Sequence, residues 1–275
     1  MTTDMKILFT DLDGTLLDDD KNVSAEDIKS INEMIRMGHR FVIATGRPIY
    51  SAKVVARELG LYRDGVYLAA SNGGVIFDCT TEEIISSESL DMDVVDKIFT
   101  AAGAEGLHVH TYTDTHVVSL HETYELVTYC SRIKMPYKLL DAIPEDLPAR
   151  PPKLIVVSVK EGSRKILEDF ERRHAGEVDG RAKSVFSNDF LLEYIPPEAS
   201  KGNALRKLCR LLDIPTANAV AAGDEANDIP MLEAAGIGVV MQNGSDAAKS
   251  CADYITKRTN NESAISEVIE KFILI

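Results

Sequence analysis

The sequence has no apolar run approaching the roughly 18 residues that a membrane span needs, so a transmembrane helix is not expected. Its N-terminus lacks a basic segment leading into a long apolar one, and a cytoplasmic protein is the expectation. The four cysteines, Cys79, Cys130, Cys209 and Cys251, are widely scattered and form no C-x-x-C pair, which argues against a zinc knuckle or a dense disulfide framework. Positive charge is also scarce: 30 Lys and Arg stand against 44 Asp and Glu, a net charge of -14. A nucleic acid or an acidic membrane would be repelled by such a chain. A small phosphorylated ligand could be held only where a metal ion or a few placed cations gather. There is no internal repeat and no low-complexity tract.

What is present is ordinary for a globular protein, with 45% apolar and 27% charged residues in 275. That length can bury one large core or two modest ones. The apolar run Ile7-Leu8-Phe9 reads as a buried strand that ends in Asp11-Leu12-Asp13-Gly14-Thr15. Ser24 can cap a helix with Ile28, Ile31 and Ile35 at helical spacing. Phe41 to Ala44 predicts a second strand, stopping at Thr45-Gly46-Arg47, and Pro48 suits the first turn of the next helix. Val66 to Ala70 predicts a third strand, which runs into Asn72-Gly73-Gly74. Strand and helix alternating through short connections imply a parallel sheet with helical crossovers.

The same alternation returns after Pro196-Pro197, with helix 201–212, strand 219–222, helix 229–235 and strand 237–241. Strand 254–255 and a closing helix over 262–272 follow. Between Glu88 and Pro196 the pattern changes to helices mixed with two hairpins, 107–120 and 184–195. Hairpins imply antiparallel pairing, so an α+β module is expected to be inserted into the parallel one. The expected division is a catalytic core over 1–86 and 196–275 and an inserted domain over 87–195.

Ligands of open parallel sheets bind beyond the carboxyl ends of the strands. Four polar turns, at Asp11-Leu12-Asp13, Thr45-Gly46-Arg47, Asn72-Gly73 and Gly223-Asp224, each end a predicted strand and should converge on one crevice. A plain alternative for the first is an acidic turn that merely caps a strand. Mg²⁺ takes octahedral oxygen ligands and needs few carboxylates. Asp11 and Asp224 can supply two of these, and Asp13 can add its backbone carbonyl. Asp228, one helical turn on, can orient metal-bound waters. A carboxylate can attack phosphorus and split one hard hydrolysis into two easier steps, which makes Asp11 the candidate nucleophile. Asp13 is the candidate acid and base. The transferred phosphoryl group needs fixed donors, and Thr45, Gly46, Leu12, Lys201 and Asn227 can provide them. Arg47 suits a salt bridge or a substrate contact equally well.

With Asp11 to Leu17 (DLDGTLL), Thr45-Gly46-Arg47, Lys201-Gly202 and Gly223 to Asp228 (GDEAND) in order, the chain resembles the haloacid dehalogenase superfamily over nearly its full length. It looks most like the Cof-type (type IIB cap) branch of sugar-phosphate phosphatases. The resemblance implies a Rossmann-like α/β core with an inserted α+β cap that selects the substrate, Mg²⁺, and an aspartyl-phosphate at Asp11. It also implies an acid/base at Asp13, phosphate contacts from Thr45, Gly46, Lys201 and Asn227, and a metal ligand at Asp224. Departures are local: no glycine shortly precedes Lys201, and Asn72-Gly73-Gly74, Met241 to Gly244 and Asn260 to Ser263 differ from the usual pattern.

The expected activity is Mg²⁺-dependent hydrolysis of a small phosphorylated metabolite, with sugar phosphates the leading class. Two rivals are a phosphohexomutase-like transfer back to a sugar and a non-catalytic sensor of a phosphometabolite. His108, His110, His116 and His121 lie on or beside one hairpin of the inserted module. Either a metal site or ordinary polar residues of a sheet face could account for them.

Overall fold

The protein is described by a computed structural model covering residues 5–274. In chain order the elements are β1 (Ile7–Asp11), α1 (Ala25–Arg36), β2 (Arg40–Ala44), α2 (Ile49–Glu58), β3 (Val66–Ala70), β4 (Val75–Asp78) and β5 (Glu83–Ser87). Next come α3 (Met92–Ala104), β6 (His108–Tyr112), β7 (Val117–Ser119), α4 (Tyr124–Ile133), β8 (Tyr137–Leu139), β9 (Leu154–Val157), α5 (Ser163–Val178), β10 (Lys183–Asn188) and β11 (Leu191–Ile195). The chain closes with α6 (Lys201–Leu211), β12 (Ala219–Gly223), α7 (Ile229–Ala234), β13 (Ile237–Val240), α8 (Asp246–Lys249), β14 (Tyr254–Ile255) and α9 (Ala264–Phe272). Two compact units result, one built from the segments up to Ser86 and from Ala199 onward, the other from Ser87–Glu198. Among the described residues no helix is long and apolar enough to cross a membrane.

The discontinuous unit is built on an eight-stranded sheet ordered β14-β13-β12-β1-β2-β3-β4-β5. Pairing is parallel from β14 through β3, and β4 runs antiparallel to β3. Strand alternation sends Leu8 to one face of β1 and Ile7 and Phe9 to the other, so the sheet is covered on both sides. Ile31, Met34, Ala52, Val55, Ile265 and Val268 of α1, α2 and α9 pack on the first face. Leu205, Leu208, Met231, Leu232 and Ala248 of α6, α7 and α8 pack on the second. β4 and β5 are additions to the strands that the sequence pattern predicts: β4 follows directly on the polar turn Asn72-Gly73-Gly74 and has no alternation of its own, because Val75, Ile76 and Phe77 are all buried.

The caps of α1 and α9 are interlocked. Ser24 accepts the N–H of Asp27 at 3.0 Å, as its place before the apolar periodicity predicts. Asp27 in turn accepts the N–H of Ser266, in the first turn of α9, at 2.6 Å. Ser263, at the N-cap of α9, has φ +63 and makes no side-chain cap bond, so the missing cap comes from the neighbouring helix.

The second unit holds a six-stranded sheet ordered β10-β11-β9-β6-β7-β8. Four of its five pairings are antiparallel, and β7 with β8 is parallel. Val109, Leu154, Val156 and Leu192 pack against Val94, Ile98, Leu167 and Phe170 of α3 and α5. By alternation His108, His110 and Tyr112 take the other face of β6.

Candidate active site

Parallel pairing of β1 with both β12 and β2 brings three strand ends together. Thr10 lies opposite Ala222, and Asp11 lies opposite Ala44, so Asp224 and Thr45 each follow directly on strands that flank Asp11. Lys201 is the first residue of α6, whose N-cap Ser200 accepts the N–H of Asn203 at 3.0 Å. The turn after β3 sets that helix start: Gly73 has φ +83, and a Cβ there would stand 2.3 Å from the carbonyl oxygen of Ser200. Only glycine permits both the left-handed backbone and the close approach.

The centre is a buried cluster of opposite charges. Lys201, 1% exposed, donates to Oδ1 of Asp11 and, at 2.5 Å, to Oδ1 of Asp228. The other oxygen of Asp228 accepts the N–H groups of Asp224 at 2.9 Å and Glu225 at 3.0 Å. Asp228 thus fixes the lysine and the backbone of the β12 turn at once. Asp11, Asp224 and Asp228 each offer an oxygen within 4.8 Å of the others. Three buried carboxylates and one ammonium leave the pocket anionic, and an all-oxygen donor set suits a hard divalent cation. The residues present therefore fit a Mg²⁺-class ion.

Titration follows from that crowding. Burial pushes the Asp11 carboxyl up to about 7; Lys201 opposes the shift, and Asp228 and Asp224 add to it. Burial likewise raises Asp224 to about 6, partly offset by its bond from Thr15 and reinforced by Asp228. Burial by itself would lower Lys201, but Asp11 and Asp228 outweigh it and hold the ammonium charged.

Asp13 lies differently. Its side chain is 43% exposed, and both oxygens are occupied by cations: Arg47 through Nε at 3.1 Å and Nη2 at 3.0 Å, and Lys21 through Nζ at 3.0 Å. Partial burial favours the neutral acid, yet these two partners override it and hold the carboxyl below its usual range. Arg47, for which sequence reasoning left two uses open, makes a salt bridge here. Leu12 and Thr45 are buried, the hydroxyl oxygen of Thr45 accepts the N–H of Arg47 at 3.2 Å, and Asn227 is exposed on the turn just before Asp228.

Gly14 and Thr15, to which the sequence pattern assigns no role of their own, and Lys21, which it does not single out, join the site. The first two belong to the motif itself and owe their identity to Asp224. Gly14, at φ +86, would place a Cβ 2.5 Å from Oδ2 of Asp224, and the Thr15 hydroxyl donates to Oδ1 at 2.7 Å. Lys21 carries no motif signal; only the folded loop brings it to Asp13.

The histidines of the second unit form hydrogen bonds with protein groups. Thr123 Oγ1 lies 3.0 Å from His108 Nδ1, His108 Nε2 3.0 Å from His110 Nδ1, and His110 Nε2 3.2 Å from Tyr112 Oη. Tyr112 Oη then meets Tyr129 Oη at 2.6 Å. Burial drives His108 down to about 4, with Glu125 a weak counterweight. Burial, His108 and Lys153 drive His110 well below its ordinary value. Two neutral imidazoles in such a chain have their ring nitrogens engaged, which accounts for them as a polar layer. His116 bonds Thr115 at 2.8 Å, and His121 is exposed.

Comparison with known proteins identifies the family to which the chain belongs. The family model of haloacid dehalogenase-like hydrolases matches residues 8–269. The chain is 30% identical to YxeH of Bacillus subtilis (strain 168), over 98% of each protein. It is 27% identical to the 5-amino-6-(5-phospho-D-ribitylamino)uracil phosphatase YwtE of the same organism, again over 98% of each. A solved haloacid dehalogenase-like hydrolase from Bacteroides thetaiotaomicron superposes with a TM-score of 0.88 at 28% identity, covering 97% of this chain and 99% of that one.

Proposed function

Because the chain belongs to the haloacid dehalogenase-like hydrolase family, of the Cof type, and is a phosphatase, we propose that it hydrolyses small phosphomonoesters, with sugar or polyol phosphates the favoured class, through a phosphorylated Asp11. The observation that carries this reading is the buried set of Asp11, Lys201, Asp228 and Asp224 at the ends of β1 and β12. Lys201 engages Oδ1 of Asp11, so attack on phosphorus is assigned to Oδ2. The new O–P bond forms as the ester P–O bond breaks, and the leaving alkoxide takes a proton from Asp13. Water then attacks the phosphorus of the aspartyl-phosphate, gives its proton to Asp13, and displaces the Asp11 carboxylate as inorganic phosphate forms.

In the arrangement described above Asp13 is ionised, the form that accepts the proton from water. Donation to the leaving group requires the Arg47 and Lys21 contacts to open and let a proton on. Thr45, Gly46, Leu12, Lys201 and Asn227 are assigned to the phosphoryl oxygens, a role that fixed donors fill by stabilising charge as it develops. Mg²⁺, bound by Asp11, Asp224 and the Asp13 carbonyl with Asp228 orienting its waters, would neutralise phosphoryl charge. The second unit is assigned the choice of substrate. The phosphorylated ribityl chain in the name of YwtE supports a polyol phosphate, and four free cysteines are compatible with a cytoplasmic enzyme.

The test is phosphate release from a panel of sugar phosphates, polyol phosphates, nucleotides and flavin mononucleotide, with and without Mg²⁺. Asp11→Asn should abolish Mg²⁺-dependent release with the fold retained. Full activity in that variant would remove the nucleophile assignment. An isomeric sugar phosphate formed without free phosphate would mean a mutase, and binding without turnover would mean a sensor.

A further inference from the structure

We propose that Thr15 is a positioning residue that aims the Asp224 carboxylate and so sets how tightly the pocket holds a divalent cation; this rests on the metal reading above. Both peptide groups beside Asp224 are already fixed, its N–H by Asp228 at 2.9 Å and its carbonyl by the N–H of Ser245 at 2.8 Å. Only the side-chain torsions of Asp224 remain to be set. The Thr15 hydroxyl, on a side chain 1% exposed, sets them through its 2.7 Å bond to Oδ1. The bare Cα of Gly14 leaves room for Oδ2, which a Cβ would meet at 2.5 Å.

The turn that presents Thr15 is itself fastened from behind. Asn243 donates to the Gly14 carbonyl at 2.9 Å and accepts the N–H of Asn260 at 3.0 Å. Asn260 donates to the Leu17 carbonyl at 2.9 Å. The loop segments 241–244 and 260–263 thus contribute the asparagines that hold this turn. The result is a continuous chain of contacts from the C-terminal loops through Gly14 and Thr15 to one carboxylate. Mg²⁺ tolerates little departure from octahedral geometry, so a carboxylate free to rotate binds it poorly. Loss of a group that orients a metal ligand costs about 10- to 100-fold in metal affinity.

The experiment is calorimetric titration of Mg²⁺ into the full chain at one pH above neutrality, beside thermal unfolding of the metal-free protein. Thr15→Val keeps the shape and removes the hydroxyl. It should raise the Mg²⁺ Kd by about 10- to 100-fold while the metal-free protein still unfolds in a single cooperative transition. Thr15→Ser should recover most of the affinity, and Thr15→Ala carries the same expectation as T15V should T15V not fold. A wild-type Kd in T15V or T15A, or a T15S protein as weak as T15V, overturns the inference and leaves the metal reading standing. Absence of saturable Mg²⁺ binding to the wild-type protein overturns both.

Discussion

Acidification should move the stabilities of the two units in opposite directions. In the second unit His108 is held neutral, with its folded pKa at about 4 against an ordinary value of 6.5. The unfolded chain therefore binds more protons than the folded one between those values, and stability falls with falling pH. Between pH 7 and pH 5 linkage gives a loss of about 2 kcal/mol from His108, and His110 adds to it. In the metal-free discontinuous unit the sign reverses. Asp11 is raised from 3.8 to about 7, so the folded state binds more protons in that window and stability rises as pH falls. The gain from pH 7 to pH 5 is on the order of 2 kcal/mol, and Asp224 acts in the same direction.

Pulse proteolysis in urea at the two pH values, with fragments mapped by mass, distinguishes the units. Residues 87–198 should become easier to cut at pH 5, and the flanking segments harder. Saturating Mg²⁺ should erase the gain in the flanking segments, because a bound cation holds the carboxylates ionised. His108→Gln should blunt the acid sensitivity of the second unit. Parallel weakening of both units, or an inserted unit indifferent to pH in this range, would refute the reasoning.

Two further substitutions test the frame of the site. Asp228→Asn keeps an oxygen for the backbone N–H groups but turns an amide toward Lys201, leaving a 1% exposed ammonium short of one partner. The variant should lose about 3–5 kcal/mol in chemical denaturation and most of its phosphatase turnover; wild-type stability would mean that Lys201 does not depend on Asp228. Asp27→Ala removes the cap that α1 supplies to α9 and should cost about 1–2 kcal/mol by the same measurement, with kcat unchanged.

Much of the discontinuous unit was legible because its strands are buried on both faces and stop at polar turns. The runs Ile7-Leu8-Phe9, Phe41 to Ala44 and Val66 to Ala70 announce the sheet, and the motifs at the ends of β1 and β12 hold the acids that the fold brings together. Local pattern could not reveal interactions that depend on distant partners. The orientation of Asp13 toward Arg47 and Lys21 is set by folded loops, and the 2.7 Å bond from Thr15 to Asp224 spans 209 residues. The histidines show the same limit. Alternation placed His108 and His110 on one face of β6, but their neutral state depends on burial in the folded unit and, for His110, on His108 and on Lys153 just before β9.

The discontinuity of the unit that holds Asp11 and Lys201 has a consequence for biosynthesis. A ribosome adding about 5–20 residues per second has made β1, β2 and β3 well before the partners of Asp11 exist. Lys201 lies 190 residues downstream of Asp11, and the whole of Ser87–Glu198 emerges in between. The nascent N-terminal segment therefore waits with one long edge of β1 unpaired, because its neighbour β12 has yet to be translated. Unmet backbone groups on such an edge invite pairing with other chains. The acids that end β1 sit beside this open edge, and their charge is a natural brake on such pairing until α6 and β12 arrive.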